Sequence, residues 1–135
     1  MSVVKSKRSE SVLEFLHTAR ELQIYTIRKC TNAIPKRYTF YLGGGIAESA
    51  KEIYRGVKRG NSIYPTNQHE AQLRRDCFIG AYAELENLAS QVEVAQEIIG
   101  LDPRILKEWA ELITREMRLI KAVLKADRER YKNLI

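Results

Sequence analysis

The sequence predicts an all-α fold, an antiparallel up-down-up-down four-helix bundle, and three observations predict it. Only three prolines and seven glycines interrupt 135 residues. Apolar residues recur at three- and four-residue steps in four separate stretches, and short turn signals separate those stretches. Hydrophobic residues make up 44% of the chain, enough for one core without disulfides or metals, so residues 1–135 read as one domain, with 1–10 as a flexible N-terminal arm.

The first helix is expected to begin at Ser11, whose hydroxyl can cap a free amide while Glu14 reaches back. Leu13, Leu16, Ile24, Ile27 and Ile34 then share one face. Arg20 interrupts that stripe, so Val12, Phe15, Ala19 and Leu22 share the packing and broaden the buried face. Pro35 ends the helix, because the residue before a proline resists the α conformation.

The second helix is expected from about Thr39 to Arg59, with Leu42, Ile46, Ile53 and Val57 at helical spacing. Gly43-Gly44-Gly45 is its anomaly. Three glycines in a helix interior cost about 1 kcal/mol each against alanine, so either the helix starts later or something approaches the backbone closely. Gly60-Asn61 and Pro65 mark the turn that follows.

The third helix opens with Asn67 and Glu70, a second capping-box pattern, and carries Ala81, Leu85, Leu88, Val92, Ala95 and Ile99. Steps alternating four and three form the seam of a left-handed bundle. Gly100 suits a left-handed C-terminal cap, and Asp102-Pro103 supply the next N-cap and first-turn proline, so helices three and four form a tight hairpin. The fourth helix turns Leu106, Trp109, Ile113, Met117, Ile120 and Leu124 inward and runs out into the polar stretch from Arg128 to Asn133. Tyr25, Tyr54, Tyr82 and Trp109, at helical spacing, read as core or interface anchors.

Net charge is +6, and it is unevenly spread. Residues 35–66 carry six basic and two acidic side chains and residues 115–135 seven and three, whereas residues 67–98 carry two and six. The second and fourth helices are thus expected to be basic and the third acidic. The Lys/Arg-rich start lacks an apolar stretch of signal-peptide length, and no apolar run is long enough to cross a bilayer, so a cytoplasmic protein with no membrane partner is expected. Cys30 and Cys77 have no paired spacing and read as small buried hydrophobes rather than a disulfide.

Catalytic constellations are sparse, and the sequence reads as non-enzymatic. His17 and His69 lie on different helices without an i,i+4 imidazole or a His-Glu metal motif. Gly43-Gly44-Gly45 is followed by Ile46-Ala47 rather than by Lys and Ser/Thr, and no strand precedes it, so it is not a phosphate loop. Glu84 and Glu86 lack the Glu-x-x-His partners of a di-metal bundle. No cofactor is expected.

Basic patches carry the remaining signal. Arg118, Lys121, Lys125, Arg128 and Lys132 recur at three- and four-residue steps, a ridge along the fourth helix. The second helix adds Lys51, Arg55, Lys58 and Arg59, and the loop before it adds Lys36 and Arg37 beside Tyr38 and Tyr41, which could stack on bases. Arg55, Lys58, Arg59, Arg118, Lys121, Lys125 and Arg128 are therefore the candidate nucleic-acid-binding residues. Glu116, Asp127 and Glu129 are expected to neutralise this face in part. The same charge could instead dock against the acidic third helix of a neighbouring subunit.

The stretch Ile34-Pro-Lys-Arg-Tyr-Thr-Phe-Tyr41, the segment Tyr54 to Asn61, and Leu73-Arg74-Arg75-Asp76 through Ala81-x-Ala83-Glu84-Leu85-Glu86-x-Leu88 to Glu93-x-Ala95 resemble the Avd-like four-helix bundle family. That family is named for the accessory variability determinant of diversity-generating retroelements and is similar to proteins encoded in bacterial rRNA intervening sequences. The resemblance spans roughly residues 11–125. It implies a ring-shaped homopentamer with basic surfaces that binds a reverse transcriptase and RNA or DNA, with the Arg55–Arg59 cluster and the fourth-helix ridge in that role. Gly43-Gly44-Gly45 and the acidic third helix depart from the family pattern.

Overall fold

The computed structural model describes residues 13–135, so the expected Ser11 cap, the packing of Val12 and the N-terminal arm lie outside the described residues. Four helices make up the fold: α1 (Glu14–Asn32), α2 (Gly44–Ser62), α3 (Gln68–Ile99) and α4 (Pro103–Arg130), with no strand among the described residues. α1 packs on α2 and α4, α2 on α3, and α3 on α4, a closed four-helix bundle in which α2 and α4 face each other across the core.

The pairings show which helix ends lie together. Near the end of α1, Tyr25 Oη donates to the Ile105 carbonyl and Thr26 Oγ1 accepts from the Trp109 indole at 3.0 Å, both on the first turns of α4. Near its start, Phe15 meets Phe78 of early α3 edge to face, and Phe78 in turn covers Gly60 at the end of α2. The start of α1, the end of α2, the start of α3 and the end of α4 therefore share one end of the bundle.

The seam on α3 runs further than Ala81–Ile99. Arg74, Phe78, Ala81, Leu85, Leu88, Val92 and Ala95 are all buried, at alternating four- and three-residue steps. On α4 the buried set is Trp109, Ile113, Glu116, Ile120 and Asp127, with Leu106, Met117 and Leu124 at its edge. On α1 the expected order of the two stripes is reversed. Phe15, Thr18, Ala19, Leu22 and Thr26 face the core, Leu13, Leu16 and Ile24 lie at its margin and Ile27 is exposed, whereas Ile34, just past the helix, is buried as expected.

Local signals set the helix ends. The Asn67 side chain accepts from the Glu70 amide, but the Glu70 carboxylate reaches Thr66, taking both its amide and its hydroxyl, rather than the Asn67 amide. Those donors hold the Glu70 carboxyl below its usual range. Gly100 closes α3 at φ +65°, a backbone conformation that costs glycine nothing, and Asp102 Oδ1 accepts from the Arg104 amide before Pro103 opens α4.

The glycine triplet resolves both ways at once. A 3-10 turn (Lys36–Tyr38) and a wide π turn (Thr39–Gly43) precede the α-helix, which begins at Gly44 rather than Thr39. A Cβ on Gly45 would also lie 2.8 Å from Gln91 Oε1, so α3 approaches closely here. Cys30 and Cys77 are free thiols and only half-buried, not core residues; burial pushes the Cys30 thiol up to about 11. No described helix is long and apolar enough to cross a membrane.

Candidate nucleic-acid interface

All seven candidate cations are solvent-exposed. α2 and α4 do not pack on each other, so Arg55, Lys58 and Arg59 on one and Lys121, Lys125 and Arg128 on the other do not form a single helix face. One end holds Arg59, beside Gly60, and Arg128, beside Asp127, with Lys58 and Lys125 within a turn of them, whereas Lys121 stands against Tyr82, about midway along α3. The residue that ties this end together is Arg74, on the second turn of α3.

Arg74 donates through Nε to Asp127 Oδ2 at 2.6 Å and through Nη2 to Asp127 Oδ1 at 3.3 Å, while Nη1 donates to the carbonyls of Gly60 and Ile63, each at 3.1 Å. One guanidinium thus binds α3 to the end of α4 and to the end of α2. Its cation also lies over the Phe78 ring at 5.1 Å, and Arg and Asp alike are almost fully buried. Arg59 adjoins Gly60 and Arg128 adjoins Asp127, so the same clamp fixes the backbone that carries both exposed cations.

Two tyrosines give the lysines a fixed seat. Lys121 Nζ of α4 lies over the Tyr82 ring of α3 at 5.3 Å, and Lys58 Nζ lies over Tyr54 at 5.4 Å, so each ammonium group is held against an aromatic face. Tyr25, Tyr54 and Tyr82 are partly buried anchors packed on the core. Arg55 is shared with Glu52 at 2.9 Å. Arg118 sits higher on α4, in an open groove with Lys107, Thr114 and Arg115, apart from the end cluster.

The expected partial neutralisation of the α4 ridge needs correction. Glu116 is fully buried and Asp127 is consumed by Arg74; of the three carboxylates, Glu129 alone stays on the surface, paired with Lys132 at 2.9 Å. The ridge is accordingly more positive than the linear sequence suggests. Lys36, Arg37 and Tyr41 belong to the opposite end, separated from Arg59 by the length of α2, about 28 Å for 19 residues. There Arg37 covers the Tyr38 ring, while Phe40 and Tyr41 point into solvent, 87% and 77% exposed.

Histidine chemistry finds no support in the geometry. His17 is exposed and bonds Glu21 at 3.0 Å, His69 is exposed, and the described residues contain no group of three metal-ligating side chains. Sequence reasoning put Asp127 on the surface and gave Arg74 no place in the core, although both stand on the buried seams. Continuing the α3 seam one step back from Phe78 reaches Arg74, and continuing the α4 seam seven residues beyond Ile120 reaches Asp127. No family model matches this chain, and no curated protein or solved structure matches it significantly.

Proposed function

We propose that this protein is a non-enzymatic nucleic-acid-binding accessory protein that holds phosphate backbones of RNA or DNA with the basic end of its bundle. The observation that carries this reading is the Arg74 clamp, which fixes the backbone beside the exposed Arg59 of α2 and Arg128 of α4 at one end while removing Asp127 from the surface. Such contacts neutralise phosphates without reading base edges, so binding has little sequence preference and weakens steeply with salt. The resemblance to the Avd-like family extends the proposal to a homopentamer that assists a reverse transcriptase of a diversity-generating retroelement or related mobile element.

Filter or gel-shift titrations of RNA and DNA across salt concentrations test it. Replacing Lys121 and Lys125 with Glu is expected to reduce affinity for both. Equal retention by the wild type and this variant would remove those residues from the interface.

A second reading, an oligomeric protein–protein scaffold without nucleic-acid binding, is favoured by the exposed Phe40, Tyr41, Val94 and Ile98 at the other end. It predicts no salt-dependent affinity and an oligomer size, read by light scattering, that responds to the same charge reversals.

A further inference from the structure

Between the first turns of α3 and the last turns of α4 lies a cleft of about 100 Å³ with Arg75 on one wall, Arg128 and Lys132 on the other, and Asp127 beneath. Liquid water takes roughly 30 Å³ per molecule, so the space suits either a few waters or one tetrahedral oxyanion. The charges facing it are already sorted. Both Asp127 oxygens are held by Arg74, Lys132 is paired with Glu129, and the Gln72 amide donates to Asp76. Arg75 and Arg128 make no ion pair among the described residues, which leaves one unpaired arginine from α3 and one from α4 lining the same small cleft.

A planar guanidinium matches two oxygens of a phosphate at once, and two of them facing each other can hold one phosphate from both sides. We propose that this cleft is a phosphate-binding site, with Arg75 and Arg128 as its ligands and Lys132 as a flanking charge. The proposal rests on the polyanion reading above and deepens it: a single phosphate anchors at the α3–α4 cleft, while Lys121 and Lys125 hold the strand beyond it more loosely. The phosphate is either a terminal monoester or a diester within the strand. Asp127 does not oppose it, because Arg74 neutralises that carboxylate from below.

The test is an NMR titration of the full chain that follows the arginine Nε–Hε resonances. Three probes are used in turn: inorganic phosphate, a short oligonucleotide with a 5′-phosphate, and the same oligonucleotide with a 5′-hydroxyl. Phosphate is expected to shift Arg75 and Arg128 and leave Arg28 of α1 unmoved. Tighter binding of the 5′-phosphorylated strand supports the site with a terminal phosphate, and equal binding of both strands supports it with an internal diester. Arg75→Lys and Arg128→Lys keep the charge and lose the fork, and each is expected to weaken oligonucleotide binding about tenfold, the worth of one charge-assisted hydrogen bond. Arg28→Lys, on the exposed side of α1 and outside the candidate set, is expected to change nothing.

Failure of this inference is distinguishable from failure of the broader reading. If both cleft variants bind RNA as tightly as the wild type while Lys121→Glu/Lys125→Glu does not, the cleft is overturned and the basic end stands. If phosphate shifts the two arginines in a protein that holds no RNA or DNA, the cleft stands and the nucleic-acid reading falls. Absence of any response at Arg75 and Arg128 to all three probes overturns the site outright.

Discussion

Arg74 and Asp127 meet 53 residues apart in sequence, their side chains only 8% and 10% exposed, in a two-pronged ion pair that closes the α3–α4 seam at its basic end. Removing one partner of such a buried pair strands the other charge, at a cost of about 3–5 kcal/mol. Asp127→Ala should therefore lower the melting temperature severely, and Arg74→Ala further still, because the Gly60 and Ile63 carbonyls lose their donor too. The double change Arg74→Met/Asp127→Leu should recover much of the loss. Thermal melts followed by circular dichroism decide it; a double variant no more stable than the single ones would contradict the coupling.

Glu116 supplies a pH dependence of a definite sign. Its carboxylate is fully buried, both oxygens find no hydrogen-bond partner among the described residues, and burial together with the nearby Glu14 charge pushes it up from 4.5 to about 9. Between those values the unfolded chain has released this proton and the folded chain retains it. Stability thus falls as pH rises through that window, by up to about 1.4 kcal/mol per pH unit, and is unaffected by this group below 4.5. Glu116→Gln should flatten the profile, stabilising the bundle at pH 8 and changing little at pH 4.5. A pair of melts at those two pH values, run on both proteins, is sufficient; parallel profiles would rule the assignment out.

The two misread carboxylates show where sequence was enough and where it was not. Local instructions were legible, since Asn67, Gly100 and Asp102-Pro103 act within a few residues of themselves and do so in the structure. The α3 seam was legible because its period is strict. Glu116 stands three residues after Ile113 and four before Ile120, on the same seam as the apolar residues, yet residue type argued for the surface. Period was the better guide there. On α1 no period could choose between two apolar stripes, because the choice depends on where α2 and α4 sit around it, which is a property of the whole bundle. That Arg59 and Arg128 share an end follows from the helix order, but the clamp that fixes them there required Arg74 to be recognised as a core residue.

Two helical glycines should respond oppositely to alanine. A Cβ at Gly60 would lie 2.8 Å from Phe78 Cζ, and that ring is locked against Phe15 and the Arg74 guanidinium, so it cannot step aside. Overpacking of this kind costs about 1–3 kcal/mol. At Gly80, in the middle of α3, a Cβ meets nothing within 4 Å. Gly80→Ala should raise stability by about 1 kcal/mol through helix propensity alone. Urea unfolding of both variants reads the difference, and a stabilised Gly60→Ala would show that Phe78 can move.

The two ends of the bundle make opposite demands on the two functional readings. Phe40 and Tyr41 stack edge to face at 5.2 Å at one end, exposed and about 28 Å along α2 from Arg59, too far to share one phosphate contact with it. Lys121→Glu/Lys125→Glu should reduce the steepness of the log affinity against log salt plot for single-stranded RNA by about 0.7 per lost phosphate contact. Phe40→Ser/Tyr41→Ser should leave that slope untouched. If the aromatic pair instead governs self-association, its removal should lower the molar mass seen by light scattering. A nucleic-acid slope that follows the aromatic pair, and not the lysines, would move the interface to the wrong end of the molecule for the Arg74 clamp to have any part in it.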